Sequence, residues 1–189
     1  MATNIGTGPQ DIPLNQFLGE QAFLDKPSKV PAFVVQLNND NDQGGQNSII
    51  TDNSSPGTII IPEDVKYDNY GAYSTATGEY TAPIGGLYYF TFTSNMRTQG
   101  LSGSNSVIVN QYYVNATEYI RAYETYGNGQ SWRHKTFTAL IPLVAGDKVT
   151  FRSYNNGGNH YFDSDGKYTQ YSGMLVSYWL DKYIRVSLI

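Results

Sequence analysis

Few side chains in this sequence could carry catalytic chemistry. It has two histidines, His134 and His160, and no cysteine. Ser131 stands three residues before His134, but a serine nucleophile also needs an oxyanion hole, and no motif of that kind frames it. Glycan cleavage would need two carboxylates at working distance, and the sequence brings together no two of the four candidates, Glu118, Glu124, Asp163 and Asp165. We therefore expect no enzymatic activity.

Two acidic stretches resemble the openings of calcium-binding loops, Asp40-Asn41-Asp42 and Asp163-Ser164-Asp165-Gly166. An EF-hand loop needs glutamate at its twelfth position. Counted from Asp163 that position holds Met174, and counted from Asp40 it holds Thr51. The sequence therefore has no EF-hand. A looser calcium site and ordinary polar turns both stay open, and we expect no cofactor.

Two loops combine aromatic residues with small polar ones, over residues 123–132 and 154–171. Antibody paratopes use the same mixture, in which rigid aromatic anchors stand among adaptable hydrogen-bonding neighbours. We expect these loops to bind a receptor, a glycan or protein on a host surface, and solvated loops without a ligand are the alternative. The candidate binding residues are Tyr123, Tyr126, Asn128, Trp132, Asn155, His160, Tyr161 and Tyr168.

The elements that would position these loops are short β-strands. Residues 87–93 alternate strictly between the two faces of a strand, and residues 107–114 and 118–124 form a predicted hairpin around Asn115-Ala116. No helical pattern of any length occurs, so the sequence predicts an all-β, antiparallel jelly-roll β-sandwich. The predicted core or subunit-contact residues are Tyr88, Phe90, Phe92, Phe137 and Phe151.

Charge and composition exclude several classes of function. The net charge is −4 and there is no run of Lys or Arg, so we expect no nucleic-acid binding. No stretch approaches 18 apolar residues, so we expect no membrane insertion. The first residues lack the pattern of a signal peptide, which favours synthesis in a cytosol.

Seventeen Tyr and eight Phe exceed what one small core can bury.

Four pieces of the sequence, in order, resemble the globular head of the first complement component, a family that shares its jelly roll with tumour necrosis factor. They are the strand around Phe33, the stretch 77–92, the turn Leu143-Val144-Ala145-Gly146-Asp147-Lys148-Val149, and Tyr171-Ser172-Gly173-Met174-Leu175-Val176. The resemblance covers about residues 32 to 180. It implies ten or so strands in two sheets and a homotrimer with aromatic residues near its threefold axis. Unlike the animal members, this sequence has no collagen stalk.

The first 31 residues differ from the rest, because four prolines separate apolar residues that cannot form a core of their own. Asp11-Ile12-Pro13-Leu14-Asn15-Gln16-Phe17-Leu18-Gly19 is similar to short segments of phage tail and fibre proteins, notably those of cyanobacterial phages. We expect an anchor that docks on a particle, with a disordered tail as the alternative. Its expected contact residues are Ile12, Leu14, Phe17, Leu18, Phe23 and Leu24.

These observations predict three segments: an anchor at 1–31, a jelly-roll head at 32–180 and a tail at 181–189. The predicted function is that of a phage virion structural protein, made in the host cytoplasm and carried as a tail fibre or a capsid decoration. Its expected partners are two further copies of itself, other virion proteins and the host surface. A cell- or spore-surface adhesion module and a glycan-cleaving tailspike are the alternatives.

Overall fold

The computed structural model describes residues 29–37, 49–50, 54–99, 106–126, 133–156, 159–163 and 168–178. The described residues from 30 to 178 belong to one compact unit. The predicted anchor residues lie outside the described residues, as does the predicted tail 181–189. The predicted anchor contacts that lie outside the described residues are Ile12, Leu14, Phe17, Leu18, Phe23 and Leu24.

The described residues form strands joined by turns, and they contain no helix. Within that part of the chain nothing has the length and apolar character of a membrane-spanning helix. The strands are β1 (Ala32–Gln36), β2 (Ile49–Ile50), β3 (Thr58–Ile59), β4 (Asp64–Asp68), β5 (Tyr80–Thr81), β6 (Gly86–Gln99), β7 (Ser106–Val114), β8 (Thr117–Tyr126), β9 (Arg133–Leu143), β10 (Lys148–Asn156), β11 (Asn159–Phe162) and β12 (Gln170–Tyr178).

Two antiparallel sheets form the sandwich. The first sheet has the order β2-β11-β6-β12-β1-β4, with β9 paired to the other edge of β6. The second has the order β3-β10-β7-β8, with β5 also paired to β10. This arrangement confirms the predicted all-β jelly-roll sandwich.

The core lies between the sheets and is mostly aromatic. Phe92 of the first sheet stacks on Phe151 of the second at 3.8 Å between ring centroids. Phe33 stacks on Tyr80 at 4.6 Å, and Tyr112 stacks on Phe137 at 5.1 Å. Such pairs add specific ring geometry to the area they bury. The structure buries Tyr88, Phe90, Phe92 and Phe151 in this core and packs the partly buried Phe137 against it.

Two turns at one end of the sandwich are joined by Asp147. Its Oδ1 accepts a hydrogen bond of 2.7 Å from Nδ2 of Asn115, and its Oδ2 accepts one of 2.8 Å from the backbone N–H of Val144. Asn115 and Ala116 have φ of 50° and 66°, as the two central residues of a type I′ hairpin turn require. The Asp147 side chain, in the turn between β9 and β10, therefore holds the hairpin turn between β7 and β8 in place.

Candidate functional site

The predicted binding residues that the structure describes do not form one cluster of loops. Tyr123 lies in β8 with 62% of its side chain exposed, and Tyr168 is also exposed. Tyr161 is half-buried in β11. Tyr126 is the last residue of β8, and its side chain is outside the described part. Asn128 and Trp132 also lie outside the described residues.

The structure corrects the prediction for Asn155 and His160, because both side chains are buried between the two sheets, where they cannot meet a receptor. Asn155 lies in β10 and His160 in β11. The Gly157-Gly158 pair suggested a long loop here, but the strands continue close to it on both sides. Alternation from the inward Phe151 would have placed Ser153 and Asn155 inward as well.

Ser153, Asn155 and His160 form a buried hydrogen-bonded network. Oγ of Ser153 lies 2.9 Å from Nε2 of His160, and Nδ2 of Asn155 lies 3.1 Å from Nδ1 of the same ring. Ser153 in turn donates toward Oδ1 of Asn110 at 2.9 Å. If the Asn155 amide donates to Nδ1, the proton of the neutral ring is on Nε2, which donates to Ser153.

Burial gives this network a structural role. Desolvation lowers the pKa of His160 to about 3, so the ring is neutral at pH 7. Ser153 is also fully buried, so a substrate has no access to the Ser–His pair. The network therefore satisfies polar groups between the sheets and fixes how β11 lies against β10.

Glu118 and Glu124, the two candidate carboxylates of β8, are not brought together as a glycan-cleaving pair. Glu118 and Glu124 stand six residues apart in β8, which separates their Cα atoms by roughly 20 Å. Glu118 forms an ion pair with Arg121 and Glu124 one with Lys135. Asp163 follows β11, and Asp165 lies outside the described residues.

The described residues hold no cluster of three or more His, Cys, Asp or Glu side chains suited to a metal ion. Both acidic stretches that resemble calcium loops fall largely outside the part of the chain that the structure describes, at residues 40–42 and 164–166. The looser calcium site therefore stays a hypothesis from the sequence.

A cleft of about 260 Å³ opens between β8 and β9, the edge strands of the two sheets. Phe92, Met96 and Phe137 line it together with the ion pair of Glu124 and Lys135. Its apolar lining and paired charges suit a small amphipathic group. No residue of this cleft except Tyr123 was a predicted binding residue.

The outer face of the first sheet carries exposed apolar side chains. Ala32, Met174, Tyr89 and Leu140 follow one another in register across β1, β12, β6 and β9. Met174 is 49% exposed and Leu140 is 54% exposed. Large apolar side chains are rarely left together in water unless they bind something, so this face is a candidate interaction surface.

Comparison with known proteins agrees with this architecture. A solved structure of the globular domain of the zebrafish complement 1qA protein matches with a TM-score of 0.54 and 15% sequence identity. The match covers 80% of this chain and 100% of that one. The family model described as the C1q domain matches residues 32–176. The chain therefore belongs to the C1q domain family.

Proposed function

We propose that this chain is a homotrimeric, non-catalytic binding module in which the outer face of the first sheet lies between copies of the chain. Membership of the C1q domain family supports a binding module that assembles as a trimer. The observation that carries the proposal is the exposed apolar row on that face. Other copies of the same chain are its occupants.

The apolar row has a second row beside it. Tyr67, Val34, Ser172, Thr91 and Thr138 follow one another in register across β4, β1, β12, β6 and β9. Tyr67 is exposed. The two rows together form a surface of aliphatic, aromatic and hydroxyl side chains that crosses five strands of the sheet.

This surface has no formal charge along its central strands. The outward positions of β1, β9 and β12, and those of β6 from Leu87 to Asn95, carry no Asp, Glu, Lys or Arg. Depletion of charge at the centre is what distinguishes protein interfaces from other surface. Copies that meet through this face would therefore bury no unpaired charge, which would otherwise cost several kcal/mol.

A charge placed in this face tests the proposal. Leu140→Lys introduces an ammonium group at the apolar row, and we expect it to shift the protein from trimer to monomer in sedimentation velocity. Val144→Lys is the matched control, because Val144 is 62% exposed in a nearby turn away from that row. If both variants sediment as the unmodified chain does, the contact between copies lies elsewhere.

We further propose that the module is carried on a phage particle. The similarity of residues 11–19 to segments of phage fibre proteins supports this placement. We propose that Phe17, Leu18, Phe23 and Leu24 anchor it there, since burial of each would stabilise docking by roughly 1.5–3 kcal/mol.

Mass spectrometry of purified particles tests the placement. We expect the full chain to be a constituent of the virion, and a chain that starts at residue 32 to be missing from it. Detection on a cell or spore surface, with none in the particles, would instead support the adhesion module of the same fold.

Non-catalytic binding is part of the same proposal. The buried Ser153–His160 pair and the separated Glu118 and Glu124 support it. Incubation with host polysaccharide should release no reducing ends. Sustained release that is lost on Glu124→Gln would contradict it.

A further inference from the structure

The outer face of the second sheet carries a layer of polar and aromatic side chains from three neighbouring strands. Arg121 of β8, Gln111 of β7 and Arg152 of β10 lie in one row. Cross-strand partners in an antiparallel sheet point to the same face. The adjacent pair, Tyr112 and Phe151, points into the core. The side chains of the arginine row therefore point away from the core.

Gln111, at the centre of this row, is unusual. Its side chain is fully buried although it lies on the outward face, and neither Oε1 nor Nε2 has a hydrogen-bond partner. Arg121 and Arg152 flank it from the two adjacent strands, each with its Cα about 5 Å from that of Gln111. A buried amide with both groups unpaired is costly, so its presence calls for an explanation, such as a bound group or a water that completes it.

Arg152 is positioned to receive an anion. Its guanidinium lies 4.4 Å from the ring centroid of Tyr113, and its Nε donates a hydrogen bond of 3.2 Å to Oγ1 of Thr150. These contacts hold the inner edge of the group. None of the ion pairs in the described part of the chain involves Arg152. Its outer edge is therefore available for bidentate contact with a carboxylate or sulfate.

Arg121 differs from Arg152 because its charge is already paired. It forms an ion pair with Glu118, and its Nη1 donates a hydrogen bond of 2.8 Å to the hydroxyl of Tyr123. These contacts hold the Tyr123 side chain on the same outer face. The patch of Arg121, Arg152 and Glu118 keeps one net positive charge on a chain whose overall charge is −4.

Next to the arginine row lies an aromatic row. Tyr123 and Tyr154 stand on either side of Val109, which is only 2% exposed. The pKa of Tyr154 is raised by partial burial and then by its proximity to Tyr123. Tyr123 itself is largely exposed. An exposed tyrosine ring beside hydrogen-bonding groups offers a flat apolar surface for the C–H face of a sugar.

We propose that this outer face binds an acidic saccharide. Arg152 holds its carboxylate or sulfate group, Gln111 forms hydrogen bonds with a hydroxyl or acetamido group, and Tyr123 packs against the sugar ring. Contact with Gln111 requires the side chains of Arg121 and Arg152, which flank it, to move apart when the saccharide binds. This inference rests on the proposed binding function and names its surface and ligand class, but it does not depend on the trimer.

Biolayer interferometry with the full chain tests the site. The probes are polygalacturonate and polysialate for carboxylates, chondroitin sulfate for sulfate together with carboxylate, and dextran as the neutral polymer. We expect at least one acidic polymer, and not dextran, to bind the unmodified chain. Arg152→Gln and Gln111→Leu should each weaken that binding by at least about tenfold.

Lys66→Gln is the matched control, because it removes one positive charge from an exposed side chain of the first sheet. It should bind as the unmodified chain does. Gln111→Leu should also keep or raise the melting temperature, since it replaces an unpaired buried amide with an apolar group. A loss of binding in this variant therefore cannot be ascribed to unfolding.

Three results would overturn the site: no acidic polymer retained above dextran, equal losses for Lys66→Gln and Arg152→Gln, or unchanged binding by Gln111→Leu. The last would show that the amide is completed by water or left unpaired. A trimer without saccharide binding overturns this inference alone. A monomer that binds saccharide overturns the trimer and leaves the site standing.

Discussion

At the scale of single residues, a polar side chain can act on a ligand only where it lies on an outer face of the sandwich and not between the sheets. Asn155 and His160 have the residue types of a binding loop, but both are sealed between the sheets. Arg152 and Tyr123 lie on a strand surface and keep contact with solvent. Polar and aromatic residue types therefore stabilise the fold where they lie between the sheets, and are available to a ligand where they lie on a strand surface.

The buried histidine predicts a dependence of stability on pH. The pKa of His160 is about 3 in the folded protein and about 6.5 in the unfolded chain. The unfolded state binds more protons between these values, so stability is full above about pH 6.5 and falls toward pH 3. At about 1.4 kcal/mol per pH unit, the loss between pH 7 and pH 4.5 is roughly 2–3 kcal/mol.

Urea unfolding of the chain and of His160→Gln at pH 7 and pH 4.5 measures this loss. The variant should lose less stability, by about that amount, because glutamine does not titrate. Ion-paired carboxylates such as Glu79 and Glu124 contribute equally to both proteins. Identical losses would show that His160 is protonated in the folded state.

Gly173 predicts a second effect at this scale. A Cβ at that position would lie 2.6 Å from Cδ1 of Phe90 and 2.7 Å from Cε1 of Phe33. Gly173→Ala should therefore lower the free energy of unfolding by about 1–3 kcal/mol, because the aromatic core must shift. Ser172→Ala, on the outward face of the same strand, should change it by less than about 0.5 kcal/mol. Equal effects would mean that the core accommodates the methyl group.

At the scale of elements, β6 and the hairpin of β7 and β8 organise the molecule. The 14 residues of β6 pair with β9 on one edge and with β12 and then β11 on the other. The hairpin supplies two of the three strands of the saccharide surface. Strand pairing thus brings together side chains that are far apart in the sequence.

The hairpin turn predicts a stabilising substitution. Ala116 has φ of 66°, a conformation that costs a residue with a Cβ about 1–2 kcal/mol. Ala116→Gly removes that cost but adds chain entropy, so we expect a gain of a few tenths to about 1 kcal/mol in thermal unfolding. Asn115→Gly should instead destabilise, because it removes the hydrogen bonds to Asp147 and Lys148. A stabilised Asn115→Gly would contradict this account of the turn.

The sequence alone predicts those elements in which alternation and turn residues agree. Tyr88, Phe90 and Phe92 follow a strict period of two, and Asn115-Ala116 stands between two apolar runs. The arginine row was not predictable in this way. Arg121, Gln111 and Arg152 come from three strands, and only the register of non-local pairing makes them neighbours. The residue types around Asn155 and His160 indicate a binding loop, whereas alternation from Phe151 places Asn155 inward, as the structure has it.

At the scale of the whole molecule, the two outer faces of the sandwich differ in chemistry. The central strands of the first sheet present uncharged apolar and threonine side chains, whereas the second sheet presents arginines, tyrosines and a buried amide. We propose that the first face holds the copies together and the second meets the ligand. Three copies would then present three equivalent saccharide surfaces, which raises avidity without any new contact.

The assembly of copies is the central claim, and the mass of the intact chain in solution tests it most directly. Light scattering at micromolar concentration should give three times the mass of one chain, and Leu140→Lys should reduce that value toward a single chain. A stable, folded monomer at the same concentration would contradict the account, because the apolar face of the first sheet would then have no partner of its own kind.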